Sequence, residues 1–141
     1  ERVKGFDGYK IVAGATTAEI FSKHLGVEIV DDYENMDSSL PPMSKMKGLD
    51  LVTEGVLTLN KVITLLTNAP TNPNFANGPA DRIAESLLNS DEIHLLVGTK
   101  INPAHTSLDL PVEIALRKSV IKRLVDVLEK KYMKDVIVEY L

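Results

Sequence analysis

The residues best suited to chemistry fall in three short stretches, each just behind an apolar run. The first is Gly14-Ala15-Thr16-Thr17, which follows Tyr9 to Ala13. A glycine turn that opens a helix presents unpaired backbone N–H groups at the positive end of the helix dipole, and two hydroxyls add donors. Such a turn suits a phosphate or a carboxylate. Threonine also serves as a plain N-cap, and Glu19 stands at capping-box spacing from Thr16, so both roles are open.

The second stretch is Asp50 to Gly55 within GLDLVTEGVLTL. Thr53, Glu54 and Gly55 would sit at the carboxyl end of a short buried strand, where ligand contacts collect in α/β folds. Glu54 could accept hydrogen bonds from a sugar hydroxyl or act as a base; an acid favoured by a helix dipole is the simpler role. Asp50 would be costly to bury unpaired, so a bond to a neighbouring backbone group is expected for it. The third stretch is Gly98-Thr99-Lys100-Ile101-Asn102-Pro103-Ala104-His105, continuing to Asp109. Two prolines stiffen this loop, and His105 in it could be a donor, a base or a loop-fixing imidazole. His24 and His94 do not pair with it at ligand spacing, so no metal site is expected. No nucleophile-elbow, zinc-protease or phosphate-loop motif is present, and no catalytic residue is assigned.

These stretches require elements to hold them. Tyr9 to Ala13 is a strand, followed by a helix from Thr16 or Thr17 to Leu25, with Ile20, Phe21 and Leu25 inward and Gly26 as its stop. Val27 to Val30 is a second strand, nearer a sheet edge because Glu28 interrupts it. Asp31 to Lys47 is polar, carries Pro41-Pro42 and shows no sustained period, so a long loop is expected. Leu49 to Val52 is a strand, and the next helix places Val56, Leu59, Val62, Ile63 and Leu66 on one face. After a turn-rich break, Pro79 opens a helix to Leu88 with Ile83, Ala84, Leu87 and Leu88 inward. Ile93 to Val97 is a strand. The longest helix, Val112 to Met133, carries a stripe of Leu116, Val120, Leu124, Val127 and Leu128, and Val136 to Leu141 closes the chain. Strands alternating with helices predict a three-layer, mostly parallel, Rossmann-like α/β sheet of about five strands, with the three glycine turns along one edge.

Length and composition bound the function. At 141 residues, 44% hydrophobic and 26% charged, the chain is expected to form a single ordinary globular domain. A net charge of -4 gives no basic field for nucleic acid or anionic membrane. The basic residues of the last helix alternate with acids and read as a solvated face. No apolar run approaches a membrane span, and the first residues are not a signal peptide. The chain has no cysteine, which fits a reducing, cytoplasmic setting. Its abrupt start without Met suggests a piece of a longer polypeptide.

AGATTAEI, PPMSKMKGLDLVTEGVLTL and VGTKINPAHTSLDLP, in that order, resemble the C-terminal region of bacterial phosphatases of the stage II sporulation protein E family. The likeness covers nearly the whole chain. Ala15 departs from it, since a second glycine often stands there, and a Cβ restricts close approach to that turn. The resemblance implies an accessory domain attached to a serine/threonine phosphatase domain that uses manganese or magnesium. The phosphatase core itself has no room in this chain, so no cofactor is expected here. Three functions are therefore carried forward. One is a non-catalytic regulatory domain that senses a small anionic metabolite through Gly14, Thr16, Thr17, Thr53, Glu54, Gly55, Gly98, Asn102 and His105. Another is an isomerase-like enzyme acting on a sugar phosphate or nucleotide, with Glu54 as base, His105 as polarising donor and the threonines as phosphate grip. The last is a structural module that forms a homodimer through its long helix or an edge strand.

Overall fold

The computed structural model describes residues 8–13, 15–33, 40, 43–46, 49–53, 55–70, 73–97 and 110–140. It is a mixed α/β chain: β1 (Ile11–Ala13), α1 (Ala15–Leu25), β2 (Val30–Asp32), β3 (Met43–Lys45), β4 (Leu51–Thr53), α2 (Val56–Asn68), α3 (Pro79–Leu88), β5 (Glu92–Val97), α4 (Leu110–Lys130) and β6 (Asp135–Tyr140). The chain divides into two compact units, Glu1–Ser86 and Leu87–Leu141. The described strands form a four-stranded sheet, β1-β4-β3-β2, and a two-stranded sheet, β5-β6. This differs from one mostly parallel sheet of about five strands. Only β1–β4 and β5–β6 pair in parallel, while β3 runs antiparallel to both β2 and β4. The antiparallel part of the difference originates in the stretch expected to be a loop. Met43–Lys45 is too short to show a period, yet it forms a strand whose Met43 is 2% exposed.

In the first unit β4 is central and all three of its residues are buried. Val12, Ala18, Met46 and Val52 form the core, with Val27, Ile29 and Leu49 packed against it. β2 lies at the edge of the sheet, but it is Val30–Asp32 and shares only Val30 with the strand expected over Val27 to Val30, so Glu28 precedes it. Among the described side chains of α1, Ala18 faces this core, while that of Phe21, also expected inward, is not among them. Ile20, two residues beyond Ala18 and about 200° round the helix from it, is 60% exposed and is therefore not on the inward side expected for it. Gly26 ends α1 at φ +65, and the Val27 amide returns to the Ser22 carbonyl at 3.1 Å, the 6→1 bond of a Schellman stop. The Ser22 hydroxyl also donates to the Val27 carbonyl.

Asp50 is exposed and precedes β4. Its Oδ2 accepts a hydrogen bond from the Lys10 backbone amide at 2.6 Å, while the amides of Asp50 and Leu51 donate to the Lys10 carbonyl. The carboxylate thus pairs with neighbouring backbone and clamps the amino ends of β1 and β4. On α2 the innermost line is Thr58, Val62 and Leu66, at i, i+4 and i+8. Val56, Leu59 and Ile63 flank it, half-buried. α3 begins at Pro79 as expected, the first-turn position where the missing N–H costs nothing. Ile83, Ala84 and Leu87 are buried and Leu88 half-buried.

In the second unit α4 packs on β6. Its buried line is Val120, Leu124 and Leu128, joined by Ile121. Leu116, expected in that stripe, is 53% exposed. A 21-residue helix is about 31 Å long and a six-residue strand about 20 Å, so the amino-terminal turns of α4 overrun the strand. Ala115 to Ser119 are correspondingly all exposed. Past the helix end Met133 takes φ 53, and Lys134 Nζ donates to the Leu88 carbonyl at 2.8 Å. That places a cation at the carboxyl end of α3, where the dipole favours it. Among the described residues no helix is long and apolar enough to cross a membrane.

Candidate functional site

The parallel register of β1 and β4 fixes the geometry of the candidate site. Ile11 stands opposite Leu51, Val12 opposite Val52 and Ala13 opposite Thr53. The two strands therefore end side by side, about 4.8 Å apart, and each leads almost at once into a helix. α1 starts at Ala15 and α2 at Val56. Two helix amino termini thus arise from neighbouring strand ends, and both helices contact β1. Neither carries an acidic residue in its first turn. α2 has Gly55 at its N-cap with no side-chain capping bond, so the residue at the cap itself supplies no oxygen to the first amides of the helix. An arrangement of this kind offers backbone N–H groups to an anion.

Several of the expected site residues belong to this edge. Thr16 and Thr17 lie in the first turn of α1, not ahead of it. The helix begins at Ala15, so their place as N-caps, and the capping-box spacing to Glu19, do not apply. Thr53 is the last residue of β4, but it is 3% exposed. Its side chain belongs to the core, and its backbone is what reaches the edge. Gly55 stands directly before α2 and is half-buried. Gly14, Glu54, Gly98, Asn102 and His105 lie outside the described residues. The register brings together the backbone of Thr16, Thr17, Thr53 and Gly55 on one side of the sheet, and Asp50 belongs to the opposite end.

The other histidines have local roles. His24 is exposed in the last turn of α1, where a cation suits the dipole. His94 pairs with Glu92 on the same face of β5. Among the described residues no group of three His, Cys, Asp or Glu could hold a metal ion.

The second unit contains an open groove of about 460 Å³ between α4 and β6. Lys118, Lys122, Asp126 and Tyr140 line it over a floor that includes Ile121, Val125 and Val138. Sequence reasoning treated these lysines as part of a solvated face. The signal that separates them is the segment from Arg117 to Arg123, which has four cations and no acid. No protein-family model, curated protein or solved structure matches the chain.

Proposed function

We propose that this chain is a non-catalytic, ligand-sensing regulatory domain of a stage II sporulation protein E-like phosphatase, binding a small anionic metabolite at the carboxyl ends of β1 and β4. The observation that carries the reading is the in-register parallel pairing of those strands, which gathers the starts of α1 and α2 at one edge. The phosphatase partner rests on the three sequence motifs. In this reading the neighbouring domain holds the manganese or magnesium and performs the hydrolysis. The sensing domain acts by preferring one conformation of the whole when its ligand is bound, in the cytoplasm.

The residues assigned to the ligand at this edge are Gly14, Thr16, Thr17, Thr53, Glu54 and Gly55; Gly98, Asn102 and His105, expected from the sequence to join them, lie outside the described residues. Thr53 contributes through its backbone, because its side chain is buried. A three-layer, mostly parallel sheet is the finer architecture that goes with this reading. Parallel inter-strand amide contacts beyond the pairs β1–β4 and β5–β6, seen by NMR, would support it.

The test is a thermal-shift and calorimetry screen of nucleotides and sugar phosphates. A supporting ligand stabilises the wild type and loses its effect in the Thr17→Val, Glu54→Ala double variant. If every ligand stabilises both proteins equally, the assignment of the edge is wrong. The phosphatase part is tested on the full polypeptide. Its metal-dependent phosphatase rate must change with the same ligand, and a constant rate at saturation removes the regulatory role.

A further inference from the structure

The groove between α4 and β6 lies within the second unit and carries its own chemistry. Its volume, about 460 Å³, falls within the range of about 300–1,000 Å³ usual for small-molecule sites. It lies toward the carboxyl end of the β5–β6 pair, because Tyr140, which lines it, is the last residue of β6 and stands opposite Val97 at the end of β5. The carboxyl ends of parallel strands are where α/β sheets place their ligands.

The lining is divided by chemistry. Lys118 and Lys122 are one helical turn apart, so both ammonium groups belong to one face. Like charges at that spacing repel, and an anion between them removes the repulsion. Lys118 Nζ lies 5.7 Å from the centroid of the Tyr140 ring, a weak exposed contact that leaves the ammonium beside the groove. Ser119 adds a hydroxyl beside them. Ile121, Val125 and Val138 make an apolar floor, and Asp126, one turn beyond Lys122, supplies an acceptor at the other end. The chain as a whole is acidic, at net charge -4, yet Arg117 to Arg123 carries four cations and no acid. Screening limits the field a ligand feels to about 8 Å, so a ligand at the groove meets the local sign.

We infer that the α4–β6 groove binds a small organic phosphate of the nucleoside monophosphate class. Its phosphate would lie between Lys118 and Lys122, its sugar next to them beside Ser119, and its base on Ile121, Val125 and Val138 with an amino edge toward Asp126. An inorganic anion would use only the lysines, and a neutral nucleoside only the floor. The ligand chemistry that uses every part of the lining is the one that joins them. This inference does not depend on the phosphatase reading.

The experiment is an NMR titration of the whole chain with adenosine monophosphate, run beside inorganic phosphate and adenosine alone. The expected result is a set of shifts concentrated on Lys118 to Asp126, Val138 and Tyr140, with the nucleotide at least about tenfold tighter than either fragment. Lys118→Met and Lys122→Met, which keep the apolar stem, should each weaken the nucleotide at least about fivefold. Their thermal midpoints should stay at the wild-type value, since both side chains are exposed. Shifts confined to α1 and α2 with none in the groove would assign the nucleotide to the other edge and overturn the inference. So would equal affinity for phosphate and nucleotide, or unchanged binding in both lysine variants.

Discussion

Replacing Asp50 with alanine tests the clamp that sets the β1–β4 register. The change removes the bond from the Lys10 amide to Asp50 Oδ2, 2.6 Å long, and leaves the two amide bonds to the Lys10 carbonyl, 2.9 and 3.1 Å, in place. A hydrogen bond to a charged group is worth about 1.5–3 kcal/mol at best, and solvent exposure reduces this one to about 1 kcal/mol. In urea, a slope of about 2 kcal/mol/M converts that loss to a midpoint lowered by about 0.5 M. The Lys10 amide reports the bond directly. Its hydrogen exchange should accelerate about fivefold, the factor that corresponds to 1 kcal/mol. Asp50→Asn keeps an acceptor oxygen without the charge, and about half of each effect should remain. Unchanged exchange at Lys10 in Asp50→Ala would refute the clamp, even if stability fell. A loss above about 3 kcal/mol would also refute the reasoning, because it would require a buried charge.

Other substitutions probe the helix ends and the core. Gly26→Ala should cost about 0.5–1 kcal/mol by chemical denaturation. A Cβ there meets nothing within 4 Å, so the cost is the left-handed backbone of about 1–2 kcal/mol, reduced by the lower entropy of the unfolded chain. The reverse change, Met133→Gly, should stabilise by about 0.5–1 kcal/mol in the same assay, since Met133 holds φ 53 with its side chain 87% exposed. Leu128→Ala should cost about 3 kcal/mol because the side chain is fully buried. Leu116→Ala should stay within about 0.5 kcal/mol, and equal losses at the two leucines would place α4 wrongly on its strand.

Much of the fold was legible where a period had room to appear. α3 matched its expected limits from Pro79 to Leu88, and the i, i+4 spacing of Val120, Leu124 and Leu128 marked the buried line of α4. Gly26 could be read as a stop because few residues accept a left-handed conformation. The readings that failed rested on distances a sequence does not display. Leu116 fits the helical period, but the period does not say where the underlying strand ends. Ile20 is apolar, and only the close approach of Ala18 to the core shows that the opposite side of α1 faces water. β3 is three residues long, and its antiparallel partners are set by tertiary contacts. Of the three glycine turns expected at the candidate site, only Gly55 falls among the described residues, directly before α2. The buried state of the Thr53 side chain was not legible, since a threonine at a strand end reads alike whether it faces core or solvent. Lys118 and Lys122 were visible as charges only. Their groove depends on Tyr140, which is far away in sequence.

The regulatory reading turns on where a small anion touches the backbone. An amide-resolved NMR titration with a panel of sugar phosphates and nucleotides measures this directly. The predicted result is a saturable shift at Ala15, Thr16, Thr17, Gly55 and Val56, absent from the Thr17→Val, Glu54→Ala protein. A panel in which no ligand shifts these five amides saturably, or shifts at them that survive unchanged in the double variant, would contradict it.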